Sequence, residues 1–132
     1  MRILVDTSVW SLALRKGVPT EHPAVERLDA CLAGHEDLFL SPVILQEILQ
    51  AFRSETTVRK VAGYLEPFPL LSLDRQGIET AARLFRMSRS RGITASTIDC
   101  QIAATAIQHE CLLLTADRDF ERLSDVTDLR LA

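Results

Sequence analysis

Lysine is nearly absent from this chain, with Lys16 and Lys60 the only two. A receiver-like phosphorylation domain also places acids at strand ends, but it needs a lysine late in its sheet, so that class is set aside. Aromatic residues are scarce at 5%, with one Trp and one Tyr, which excludes a broad base-stacking platform. The three cysteines, Cys31, Cys100 and Cys111, include no CxxC pair, so neither a disulfide framework nor a thiolate zinc site is indicated. All three lie in apolar company and read as reduced core residues, which makes the cytoplasm the default compartment. His22, His35 and His109 are isolated from one another. No apolar run approaches the ~20 residues a membrane-spanning helix needs, and the N-terminal stretch turns polar after Val5, too early for a signal peptide. Excess positive charge is missing as well. The formal net charge of −3 argues against non-specific coating of nucleic acid, but not against nucleic acid as a substrate, because metal ions can supply local positive charge.

The chain does have enough apolar material for a core: 132 residues, 47% of them hydrophobic. That fits a single domain over residues 1–132, with no repeat, linker or low-complexity tract. Ile3-Leu4-Val5 reads as a strand buried on both faces, ending at Asp6. Thr7-Ser8 can cap a helix that starts near Val9, and Gly17 and Pro19 mark a loop. Helices are expected over 23–33, with Gly34 as the stop, from Ser41-Pro42 to about Phe52, and over 55–65, 74–90, 97–109 and 118–123. Strands are expected at 38–40, at Leu70-Leu71, over 111–114 and near 129–131. Strands alternating with helices indicate an α/β fold with a mainly parallel sheet, and such sheets gather ligands beyond the carboxyl ends of their strands.

Four acids, Asp6, Glu47, Asp99 and Asp117, stand at strand ends or on otherwise apolar helices. Each has a plain structural account. Asp6 can serve as a helix N-terminal acid, although Thr7 and Ser8 already supply caps. Glu47 lies beyond the first turn of its helix, at the border of the stripe carrying Ile44, Ile48 and Phe52, where it reaches solvent or lines a polar pocket. Asp99 completes a capping-box pattern from Ser96, yet shares its face with the small residues Ala103 and Ala106. One of Asp117 and Asp119 can cap the short helix, which leaves the other spare. Brought together, such carboxylates repel by roughly 4 kcal/mol per pair at close range, and a divalent cation reverses that sign. Oxygen-only ligands point to Mg²⁺ or Mn²⁺.

At these residues the sequence resembles the PIN-domain family, and within it the VapC-type toxins of bacterial toxin–antitoxin pairs. The likeness is carried by residues 3–10 (ILVDTSVW), 41–47 (SPVILQE), 97–106 (TIDCQIAATA) and 113–120 (LLTADRDF). It implies a three-layer α/β/α fold with a sheet of about five strands. It matches Asp6, Glu47, Asp99 and Asp117 to the family's acidic quartet, Asp119 to an additional acid, and Thr7, Ser8 and Thr115 to supporting hydroxyls. It further implies a ribonuclease in which Asp6, Asp99 and Asp117 hold Mg²⁺ (or Mn²⁺) and Glu47 orients or deprotonates water or holds a second ion. The implied partners are RNA, a cognate VapB-like antitoxin and a second copy of the chain. An antitoxin helix would pack on Trp10, Leu12 and Leu14 or on the apolar face of residues 43–65, with an arginine reaching the acids. For holding RNA, Arg83, Arg86, Arg89 and Arg91 are one candidate and Arg15-Lys16 another; the plainer account of the first set is a solvated face at a helix C-terminus. The competing readings are a catalytically silent PIN-like binding module, and a metal-dependent phosphatase or 5′ nuclease acting on DNA.

Overall fold

The computed structural model describes residues 1–15 and 21–132; the loop expected at Gly17 and Pro19 lies outside them, as does Lys16. In chain order the elements are β1 (Arg2–Val5), α1 (Thr7–Ala13), α2 (Pro23–Ala33), β2 (Asp37–Phe39), α3 (Pro42–Gln50), α4 (Glu55–Leu65), α5 (Arg75–Ser90), α6 (Thr97–Gln108), β3 (Leu112–Leu114) and α7 (Arg118–Val126). The expected helices form within a residue or two of their boundaries, except that α7 runs three residues beyond the expected 118–123.

The sheet is parallel in the order β2-β1-β3, with Ile3 opposite both Leu38 and Leu112. Three strands form where about five were expected. The outer two shrink to single parallel bridges, Leu40 with Leu70 and Leu113 with Leu131. Pro67 and Pro69 explain the first: Pro69 accepts from Leu40 N–H at 3.0 Å, but proline has no N–H to extend a ladder. Ile3, Leu4 and Val5 are 0% exposed, as a central strand covered on both faces must be. The crossover from β1 to β2 runs through α1 and α2, and the one from β2 back past β1 to β3 runs through α3–α6. The right-handed rule puts these two connections on opposite faces.

Helices α5 and α6 form an antiparallel hairpin. Gly77, on the first turn of α5, lies against Gln108 at the end of α6, while Arg86 lines a groove with Thr97 at the start of α6. Because α6 feeds back to the start of β3, its N-terminus stands at the carboxyl end of the sheet, beside the C-terminal end of α5. Both α2 and α6 hand over to a strand through a left-handed residue, His35 (φ 54°) and Glu110 (φ 55°). In each case the N–H of the following residue closes a Schellman bond, Glu36 to Cys31 O at 3.1 Å and Cys111 to Ala106 O at 2.8 Å. The helix stops at Gly34 as expected, but Gly34 sits at φ −84° and it is His35 that takes the left-handed turn.

Candidate active site

The ladder between β1 and β3 ends on Asp6, whose N–H donates to Leu114 O at 2.9 Å. Asp6 itself, rather than Thr7 or Ser8, is the N-cap of α1. The cap bond from Ser8 N–H is long at 3.4 Å; the short contacts are hydroxyls, Ser8 Oγ at 2.6 Å and Thr115 Oγ1 at 3.0 Å. All three fall on Oδ2. Asp6 is 4% exposed. Desolvation pushes its carboxyl above the ordinary value, and the Ser8 and Thr115 hydroxyls pull it partly back. Among the described residues no arginine or lysine pairs with it. Asp6 is thus a buried carboxylate supported by hydroxyls and short of a cation.

Each hydroxyl has one proton to give. Ser8 and Thr115 both spend theirs on Asp6, and their oxygens then accept: Ser8 Oγ from Ala116 N–H at 2.9 Å, Thr115 Oγ1 from Asp117 N–H at 3.0 Å. Asp117 caps α7 and accepts from Asp119 N–H at 2.9 Å, leaving its second oxygen outside the cap. On the other side, Thr7 Oγ1 donates to Glu47 Oε1 at 2.9 Å. Glu47 is half-buried, its carboxylate held by that hydroxyl. Asp6, Glu47 and Asp117 are in this way tied together from the ends of β1 and β3 and the second turn of α3, through Thr7, Ser8 and Thr115.

Asp99 is held apart from that network. Its carboxylate accepts from Ser96 N–H at 3.1 Å while its own N–H donates to Ser96 Oγ at 3.0 Å, a complete capping box at the start of α6. Asp119 is the spare acid of its pair and lies 3.8 Å from Arg122. No three acidic, histidine or cysteine side chains among the described residues come close enough to grip a single bare ion. The donor set still fits a hard cation on chemical grounds: it is all oxygen, one carboxylate is buried without a positive partner, and Mg²⁺ keeps several waters while binding through one or two carboxylates. A cleft of about 410 Å³ opens beside Thr115, lined also by Ala116, Arg118, His22 and Arg27. Trp10, expected as part of a partner groove, is 1% exposed and packs on Tyr64 and Phe68. The one contact that nothing in the sequence announced is Thr7 with Glu47, forty positions apart.

The PIN-domain family model matches residues 3–126. VapC ribonuclease Mb1587 of Mycobacterium bovis is 30% identical over 132 residues, spanning 98% of this chain and 97% of its own. The FitAcB structure from Neisseria gonorrhoeae superposes with a TM-score of 0.71 at 25% identity, over 98% of this chain and 96% of that one. VapBC2 from Rickettsia felis, solved with a DNA fragment from its promoter, gives 0.78 at 18% identity over 100% and 98% of the two chains; at that identity the likeness concerns the fold.

Proposed function

This chain belongs to the PIN-domain family, and from that premise we propose that it is a metal-dependent endoribonuclease, the toxin of a toxin–antitoxin pair. The observation that carries the reading is Asp6: a buried carboxylate at the carboxyl end of the central strand, short of a cation and tied through Thr115 to Asp117 and through its neighbour Thr7 to Glu47. A structural acid would not need that environment, because its burial opposes its charge. The ribonuclease name of the relative and its 30% identity over nearly the whole chain support the same conclusion.

Asp6, Asp99 and Asp117 are the residues that would hold the ion, Asp99 through a ligand water or after leaving Ser96. A bound Mg²⁺ or Mn²⁺ supplies positive charge against the charge growing on the phosphate and makes a bound water easier to deprotonate. Glu47 orients the attacking water and takes its proton, with Thr7 holding the carboxylate in one place. Ser8 and Thr115 keep Oδ2 of Asp6 pointed and occupied, which leaves the other oxygen for the ligand. Asp119 orients the end of α7 that carries Asp117. The cleft beside Thr115 gives the strand room, and Arg118 and Arg27 there offset phosphate charge.

The partner is a VapB-like antitoxin that presents an arginine to this negative pocket, and the working toxin is a homodimer. Trp10 lies inside the core, so the antitoxin contacts run over the half-buried Leu12 and Leu14 and the α3–α4 face instead. No helix among the described residues is long and apolar enough to cross a membrane, which suits a cytoplasmic toxin. The test is cleavage of single-stranded RNA in Mg²⁺, with EDTA and Asp6→Asn as controls. Cleavage that survives EDTA, or a folded chain that binds RNA without cutting it, rejects the reading; the second outcome leaves the silent binding module.

A further inference from the structure

Apart from Arg27 and Arg118 in the cleft beside Thr115, the site described above is acidic, and the chain as a whole is negative. The positive charge is unevenly placed. Residues 75–91 carry five arginines against Glu79 alone, a local net charge of +4, so the remaining residues carry −7. Arg83, Arg86 and Arg89 follow one another at three-residue spacing on α5, which places them in one stripe. All three are exposed, as is Arg91 beyond the helix. Like charges at that spacing destabilise a helix by about 0.2–0.5 kcal/mol per pair. Among the described residues no carboxylate forms an ion pair with any of them.

The stripe has a direction. It rises toward the C-terminal end of α5, which meets the N-terminus of α6 at the carboxyl end of the sheet. Arg86 lines the groove between the two helices with Thr97 and Gln101. Cys100, the neighbour of Asp99, lines that groove as well. The Arg89 guanidinium lies 4.7 Å from the centre of the Phe85 ring. Stacking of this kind uses the flat face of the guanidinium and leaves its N–H edge turned outward for a phosphate. The exposed Ile78 lines the same groove as Arg86 and stands three turns from Arg89, so the far end of the stripe lies beyond that apolar surface.

We propose that Arg83, Arg86 and Arg89 form the track that grips the RNA backbone and leads it past Asp99 into the carboxylate site. This rests on the ribonuclease reading for its substrate, and the track is a binding surface rather than part of the chemistry. A single-stranded nucleic acid releases counterions in proportion to the phosphates neutralised, so each lost contact removes about 0.7 from the slope of log affinity against log salt.

The experiment measures anisotropy of a labelled single-stranded RNA with the full chain in EDTA, across a salt series. The triple variant Arg83→Gln, Arg86→Gln, Arg89→Gln is expected to flatten the slope by about 2, and the triple Arg→Lys variant to keep it. Should the triple glutamine variant fail to fold by circular dichroism, the single variants R83Q and R89Q each report a loss of about 0.7. An unchanged slope in a folded glutamine variant overturns the proposal. So does poly-glutamate binding that vanishes in that variant while RNA binding stays, which would make the stripe a protein-docking surface. If the slope flattens but the unmodified chain with Mg²⁺ cuts no RNA, the track stands and the nuclease reading falls.

Discussion

Asp6 pays for its position with stability. Its carboxyl is held above the ordinary value by burial, so the folded chain keeps its proton at pH values where the unfolded chain has released it. The folded state therefore loses stability as pH rises from the ordinary carboxylate value through the raised one. Asp6→Asn, measured without divalent ions, is expected to raise the thermal midpoint at neutral pH, and the gain should disappear in acid below the unfolded value. A midpoint lowered at every pH would mean that the charge is not the source of the cost. The same substitution should abolish RNA cleavage. Glu47→Gln is expected to lower kcat by about 10²–10⁴ if Glu47 moves the proton. Thr7→Val should lower it less, by roughly 10-fold for one lost positioning hydrogen bond, and Thr7→Ser should recover it because the hydroxyl that holds Glu47 is kept. The residue types were legible in the sequence: acids where neither cap nor dipole explained all of them, and hydroxyls beside them. Which acid meets which hydroxyl was not. Thr7 and Glu47, or Asp6 and Thr115, are neighbours only because three chain segments end at the same edge of the sheet.

Helix α6 shows how one element serves two masters. Its capping box engages Asp99 with Ser96, and the same carboxylate is the one proposed to reach a cation. Ser96→Ala removes one half of the box and should cost about 1 kcal/mol in unfolding free energy. That half runs from Asp99 N–H to Ser96 Oγ, so the cost should be the same with and without Mg²⁺, whichever way the Asp99 carboxylate turns. At the other end of α6, Glu110 occupies a left-handed conformation that a side chain disfavours. Glu110→Gly should raise stability by about 1 kcal/mol, or roughly 3–5 °C in the midpoint. The helices were readable because their information is local: Ser41-Pro42, Ser96 with Asp99, and apolar residues at helical spacing. The terminal turns were less so. Gly34 announced a stop, but the backbone placed the left-handed residue at His35, where the Schellman bond to Cys31 requires it. Likewise Leu70 and Leu131 carry strand-like sequence, yet each makes one bridge, since the length of a ladder depends on the partner strand as well as on the residues themselves.

At the scale of the molecule, the acids and the positive stripe are complementary parts of one distribution: acids at the carboxyl end of the sheet, arginines on the hairpin beside it. A cation that binds only the folded chain stabilises it by mass action, about 2.7 kcal/mol at a hundred times its dissociation constant. Mg²⁺ should accordingly raise the midpoint of the unmodified chain, and Asp6→Asn should lose most of that rise; an equal rise in both would put the ion elsewhere. The order of strands and helices, the single apolar core and the kinds of side chain available for chemistry were all determined by the sequence alone, because burial of a period-2 or period-3.6 pattern is decided segment by segment. Only the tertiary structure decided that Asp6 would be starved of a counter-charge, that Asp99 would sit closed in its own cap, and that Arg86 of α5 would share a groove with Thr97 and Gln101 of α6. Those are contacts between segments tens of residues apart, and they exist only after parallel crossovers have brought the strand ends to one edge.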